Sequence, residues 1–230
     1  MDETIEVVVV RVFTNESGRN GNELGIITSS PATASREQDI ANALGFSETV
    51  FVDALDEAGR AATIRIFTPA RELPFAGHPS VGTAWWLSDQ RTPVDVLREA
   101  AGDVEATVDD DTAWITARAE WAPTFEWLEL QSPEDVDALD PFAFTSGHHY
   151  AYAWIDEAAG TLRSRMFAPD MGIIEDEATG AAAIALTARL GRPLSILQGE
   201  GSQLATEPLG DGRIRVGGTT VYDRTIEATL

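Results

Sequence analysis

A chain of 230 residues with 43% hydrophobic and 8% aromatic positions can bury a substantial core, as one large domain or two small ones. Its 38 acidic residues against 16 basic ones give a net charge of -22, and every basic residue other than histidine is arginine, a balance that excludes nucleic acid and anionic membrane as partners. Cysteine is absent, which excludes a disulfide framework, a thiolate metal site and any cysteine base or nucleophile.

The first segment, IEVVVVRVF from Ile5 to Phe13, reads as a strand. Its acidic flank is unlike the basic start of an export signal, and no run reaches the roughly 18 apolar residues of a membrane span, so a cytoplasmic protein is the default expectation. The glycines of NESGRNGNELGI do not pass from a strand into a phosphate-binding helix with the required spacing and basic partner, and no nucleotide site is expected there. SREQDIANALGF then reads as a helix capped by Ser35 and stopped at Gly45.

Glu48, in GFSETVFV, follows that helix and precedes a strongly apolar strand, Thr49 to Leu55. A carboxylate at this point is either exposed at a strand mouth or held in a cleft. In the second case partial burial would raise it from the usual value near 4.3 toward a pKa suited to proton transfer at carbon.

After another strand, Ala61 to Thr68, comes RELPFAGHPSVGTAWWL, which sets His78 between a glycine and a proline where a loop becomes an apolar helix, PSVGTAWWLSDQ. Pro79 suits the first helical position, with His78 at or just before the cap. The histidine either caps and packs or, kept neutral by the helix N-terminus, serves as a hydrogen-bond or proton-transfer partner.

A further strand is read at Thr112 to Ala119, and the acids of DALDEAGR, VDDDTAW and SPEDVDALD, scattered along the chain between apolar segments, read as solvated surface. Such self-repulsion is relieved by salt, so a halophilic source is expected. His148 and His149 have no third ligand at suitable spacing, and no metal site is expected. Strands follow at His149 to Ile155 and Thr161 to Phe167.

EDEATGAAA places Glu175, Asp176 and Glu177 before a helix, Gly180 to Gly191, that is apolar on nearly all faces and therefore buried. Acids there are either dipole partners of the helix or part of a site. Pro193 to Gly199 and Arg213 to Val221 complete a mostly β chain.

Two stretches share one order of features. RIFTPARELPFAGHPSVGTAWWL and RMFAPDMGIIEDEATGAAAIALTARL each run from Arg-x-Phe-x-Pro through a polar loop and a glycine into an apolar helix, with Phe67 and Pro69 matched by Phe167 and Pro169. This is the signal of a duplication into two β-rich halves, each wrapped round a buried helix. The halves are placed at residues 1–110, with Glu48 and the GHP motif, and 111–230, with the EDxATG motif, the last strand being free to pair with the first half. Two such helices would face each other with their N-termini across the cleft. Their unpaired amides and dipole ends would make an anion site that binds a carboxylate even in an acidic protein.

The pieces VFTNESGRNGNELGI, SETVFV, RIFTPARELPFAGHPSVGTAW, EDEATGAAAIAL and the closing VGG occur in one order over nearly the whole chain. In these the chain resembles the phenazine biosynthesis PhzF-like family of isomerases. The resemblance implies an α+β, diaminopimelate epimerase-like fold of two pseudo-symmetric halves, each a β-barrel-like mixed sheet around a central helix, with the site between them and a homodimer as the assembly. It further implies a cofactor-free proton shift on a small carboxylate-bearing molecule. Glu48 would carry the proton, Gly77 and His78 would bind and polarise the substrate, and Asp176 would complete the catalytic set. Thr179, Gly180 and Ala181 would line the substrate from the second helix, with Asn22 on the substrate side or fixing a loop.

Two departures bear on the substrate. Ala181 stands where the phenazine enzyme carries serine, and QGEGSQLATE replaces a Gly-Arg-Pro-Ser type motif. A two-thiol racemisation, used by epimerases of this fold, is excluded by the missing cysteines. An isomerase with one carboxylate moving one proton, and a non-catalytic binding protein that keeps the cleft, both remain open at this point.

Overall fold

The computed structural model describes residues 4–229. Its first half begins with β1 (Thr4–Thr14) and β2 (Asn22–Thr28), then α1 (Glu37–Leu44), β3 (Glu48–Asp56), β4 (Ala61–Phe67), β5 (Glu72–Leu73) and α2 (Gly77–Asp89). β6 (Val96–Glu99), β7 (Gly102–Asp109), β8 (Thr112–Arg118), β9 (Glu126–Glu129), α3 (Pro133–Asp137), β10 (His149–Asp156), β11 (Thr161–Ala168) and β12 (Ile173–Asp176) follow. α4 (Gly180–Leu190), β13 (Leu194–Gln198), β14 (Ser202–Gly210) and the long β15 (Arg213–Thr229) complete the chain.

The strand pairing contains the duplication. β2 lies parallel to β3, β3 antiparallel to β4, β4 parallel to β6, and β6, β7 and β8 are successively antiparallel. The same sequence of senses recurs as β9, β10, β11, β13, β14 and β15. Short β5 and β12 pair with the matched strands β4 and β11. The side chains repeat too: Arg65 forms a two-pronged pair with Glu72 and covers the Phe67 ring, as Arg165 does with Glu175 and Phe167.

β1 and β15 join the halves. β15 runs antiparallel to β1 from Thr219 to Thr229, and its first part pairs with both β8 and β14. Strands β1, β2, β3, β4, β6, β7, β8 and β15 thereby close into an eight-stranded mixed barrel, while the second sheet stays open at β9. Closure removes exposed edges and surrounds α2, which explains why nearly all of that helix is buried. Its small residues permit this: a side chain at Gly82 would meet Val12 and Leu24 at 2.6 and 2.7 Å. α4, rich in alanine, packs in the open second half against β14 and β15, with its residues from Gly180 to Thr187 mostly buried.

Two local expectations need correction. Ser35 does not cap α1: it has a left-handed φ of 65°, and Arg36 takes the cap position with no side-chain bond. Gly45 does stop the helix, with φ 71° and its N–H bonded to Ala41. α2 starts at Gly77 after an extended Ala76, so His78 is the second and Pro79 the third helical residue. The QGEGSQLATE segment contains the turn after β13 and the start of β14. Among the described residues, no helix is long and apolar enough to cross a membrane.

Candidate active site

The N-termini of α2 and α4 meet at the join between the halves. A Cβ on Gly77 would lie 2.7 Å from the carbonyl carbon of Gly180, and one on Gly180 would lie 3.0 Å from that of Gly77. Only glycine at both positions permits this approach. It brings together the first amides of each helix, which have no carbonyl partner within their own helix.

Glu48 starts β3 where that strand pairs with β2, opposite Leu24, and its side chain turns inward, leaving the residue 8% exposed. His78 is 4% exposed, and its Nε2 lies 3.6 Å from Oε2 of Glu48. Neither of those two atoms has a hydrogen-bond partner. Burial pushes Glu48 up to about 7, against a smaller opposing effect from Ser47. Burial also lowers His78 to about 4, so the ring is neutral at ordinary pH. The imidazole keeps a backbone hydrogen bond with Glu23, and Nε2 is the nitrogen left free toward Glu48.

Asp176, at the end of β12 in the other half, is 9% exposed and is raised to about 6, first by burial and then by the charge of Glu48. It is held firmly. Asn22 Nδ2 donates to Asp176 Oδ1 at 2.6 Å and to the Ala178 carbonyl at 3.1 Å, and Ser47 Oγ donates to Asn22 Oδ1 at 3.3 Å. Asn22 therefore acts on Asp176 from behind, with its amide fully occupied. On the other side the Thr179 hydroxyl donates to Asp176 Oδ2, and Gln198 Nε2 donates to Thr179 Oγ1 and to the Asp176 carbonyl, both at 2.9 Å. Gln198 is in turn reached by the hydroxyl of Tyr150.

These groups end a cleft of about 350 Å³ that Glu48, Asp176, Thr179 and Ala181 line at its polar end. Phe75, Trp121, Phe125 and Met166 form an apolar wall, and Arg71 and His148 also face the space. The two neighbouring histidines thus diverge: His148 borders the cleft beside Phe125, whereas His149 packs on Phe144 and bonds the Ser146 carbonyl. A larger crevice of about 760 Å³ lies elsewhere, by Arg163 and Arg165, but those cations are committed to Asp137 and Glu175.

Of the residues singled out from sequence, Glu48, Asp176, Thr179 and Ala181 line the cleft, His78 lies behind Glu48, Gly77 and Gly180 pack against each other at the helix ends, and Asn22 borders a neighbouring crevice. Gln198, Tyr150, Ser47 and His148 were not expected at this site. Gln198 carried a usable signal, since a fully buried amide in an apolar strand needs polar partners.

Comparison with known proteins places the chain in a family. The chain is 32% identical over 206 residues, 70% of its own length and 74% of the relative's, to a trans-2,3-dihydro-3-hydroxyanthranilate isomerase of Pseudomonas fluorescens. A phenazine biosynthesis protein of the PhzF family from Bacillus anthracis superposes with a TM-score of 0.80 at 20% identity, covering 99% of this chain and all of that one. A hydroxyproline epimerase from Agrobacterium vitis has the fold more distantly, with a TM-score of 0.65 at 13% identity over 100% of this chain and 94% of that one. The sequence profile of the PhzC-PhzF family, described as phenazine biosynthesis-like protein, matches residues 10–146 and 143–207, and the chain belongs to that family of isomerases.

Proposed function

We propose that this protein moves a proton between carbon atoms of a small, cyclic or amino-acid-like carboxylate, without a cofactor, with Glu48 as the acid/base. The observation that carries the reading is the state of Glu48: buried, with one carboxylate oxygen unpartnered beside a neutral His78, and raised to about 7. A base with that pKa is ionised often enough to take a proton near neutrality and acidic enough to return it.

The remaining groups fit such a cycle. The substrate's carboxylate sits at the paired helix N-termini, where amides of the Gly77 and Gly180 turns favour negative charge. His78 meets it through the free Nε2, and Asp176 faces Glu48 from the other half. The apolar wall keeps water from the carbanion-like state as charge develops. The substrate for which the Pseudomonas fluorescens relative is named, a dihydro-hydroxyanthranilate, carries the carboxylate this cleft calls for, and it heads the set to be tried.

The test is proton exchange in D2O followed by NMR, offering dihydroaromatic acids and amino acids to the wild type and to Glu48→Gln. Deuterium entering a carbon position with the wild type alone supports the reading. Binding without exchange across the whole set overturns it in favour of a non-catalytic binding protein.

A further inference from the structure

A second carboxylate, on a half-buried residue, lies just behind the site. Glu99, the last residue of β6, reaches the first turn of α2, where its Oε1 is 2.6 Å from Oγ of Ser80. That hydroxyl is also 2.7 Å from the carbonyl of Ala76, the residue that opens the helix. Ser80 is fully buried, and Glu99 Oε2 is buried with no partner.

A hydroxyl has one proton. In a helix a serine commits it to the carbonyl four residues back, here Ala76, which can only accept. The proton between Ser80 and Glu99 must then come from Glu99. An ionised carboxylate in this position would face the Ser80 lone pairs with one oxygen and leave the other buried and bare, which is costly. A neutral carboxyl group removes the first conflict and lessens the second. Burial, which pushes Glu99 up to about 8 with only the Ser80 contact opposing, acts in the same direction.

We propose that Glu99 is a positioning residue held as the un-ionised acid, donating to Ser80, which donates to the Ala76 carbonyl and so fixes the turn that presents Gly77 and His78 to the cleft. Ala76 and Phe75 line the cleft directly, and the turn that follows Glu99 is tied to the same loop by Ala101 N–H donating to the Pro74 carbonyl at 2.9 Å. The effect on turnover rests on the isomerase reading above. The protonation state and the link to His78 do not.

The experiment therefore has two arms. Infrared difference spectra at neutral pH, wild type against Glu99→Gln, are expected to show a carboxylic-acid carbonyl band that the variant lacks; a carboxylate band in its place overturns the proposal. In the second arm Glu99→Gln, which keeps a neutral donor, is expected to leave the His78 ring resonances and the exchange rate within about twofold of wild type. Ser80→Ala and Glu99→Ala should shift those resonances and lower the rate roughly ten- to a hundredfold, the scale of a misplaced catalytic group. If the folded alanine variants match wild type, Glu99 positions nothing. If the wild type itself shows no exchange, the isomerase reading has failed, and the infrared band with the His78 resonances still decides the role of Glu99.

Discussion

Gly77 and Gly180 touch backbone to backbone across the join between the halves, so closely that neither has room for a methyl group. Gly77→Ala is the more severe change, because its Cβ would lie 2.7 to 2.9 Å from three backbone atoms that cannot rotate away. The expected loss is about 1–3 kcal/mol of stability, with the helix ends forced apart. Urea midpoints and the exchange rate check this together. A variant with unchanged midpoint and rate would show that the close approach is not needed.

As the proposed acid/base, Glu48 would link catalysis to stability through pH. Below pH 4.5 it is protonated in folded and unfolded chains alike. Between 4.5 and about 7 the unfolded chain releases the proton while the fold retains it, so the unfolded state binds fewer protons and stability falls as pH rises through that window. Glu48→Gln escapes this cost and should be more stable than wild type above pH 7 by roughly 1–3 kcal/mol, with no such gain below pH 4.5. Activity should move the other way. The wild-type rate should fall as pH drops below about 7, where Glu48 gains its proton, and the glutamine variant should lose about 10²- to 10⁴-fold at all pH values. Paired denaturation and exchange measurements at pH 5 and 8 test both signs.

Asn22 is the fastener between halves. Its side-chain amide crosses from β2 to the Asp176 carboxylate and the Ala178 carbonyl. Asn22→Ala removes both bonds and leaves a buried acceptor short of a donor, at an expected cost of about 1–3 kcal/mol. Because Asn22 also draws the Asp176 pKa down, the variant should raise it further. Carbon-13 NMR titration of the aspartate carboxyl reads that shift, and a titration identical to wild type would refute the coupling.

These sites differ in how far the sequence announces them. Glu48, His78 and Asp176 stand in short motifs at junctions of apolar elements, where a polar residue has few reasons to be. The helix of Gly180 to Leu190 is legible because an apolar surface on nearly all sides must be enclosed. Barrel closure is not legible in this way, since Thr4 pairs with Thr229 and no local pattern records that partnership. The strand Asn22–Thr28 was missed because it is short and interrupted by Gly25, whose missing side chain makes room for the Phe46 ring. Ser35 misled for a related reason: a capping residue type is only a preference, and the left-handed turn at that position moved the helix start beyond it.

The acidic surface makes a prediction about salt. Among the described residues Arg11, Arg60, Arg65, Arg98, Arg163, Arg165, Arg213 and Arg224 are already in ion pairs, which leaves the 38 acids far in excess of their partners. The melting temperature should rise as salt is added and level off by about 1 M, where the screening length is about 3 Å. A melting temperature indifferent to salt would mean that repulsion does not limit this fold.

Arg71 offers the cleft a cation that the fold itself does not use. It is exposed, borders the cleft, and has no ion-pair partner among the described residues. Its backbone is nonetheless pinned: Arg71 N–H donates to Thr68 Oγ1 at 3.1 Å, Thr68 N–H donates to the Arg71 carbonyl at 2.9 Å, and Gln38 holds the Thr68 and Pro69 carbonyls. Removing the side chain therefore removes charge without releasing the loop. A solvent-exposed pair between guanidinium and carboxylate contributes about 0.2–1 kcal/mol, so Arg71→Gln should raise KM for an anionic substrate roughly two- to fivefold and leave kcat unchanged. The difference should shrink in high salt, as screening weakens the wild-type attraction. A fall in kcat at constant KM would place Arg71 in the chemical step instead of at the entrance.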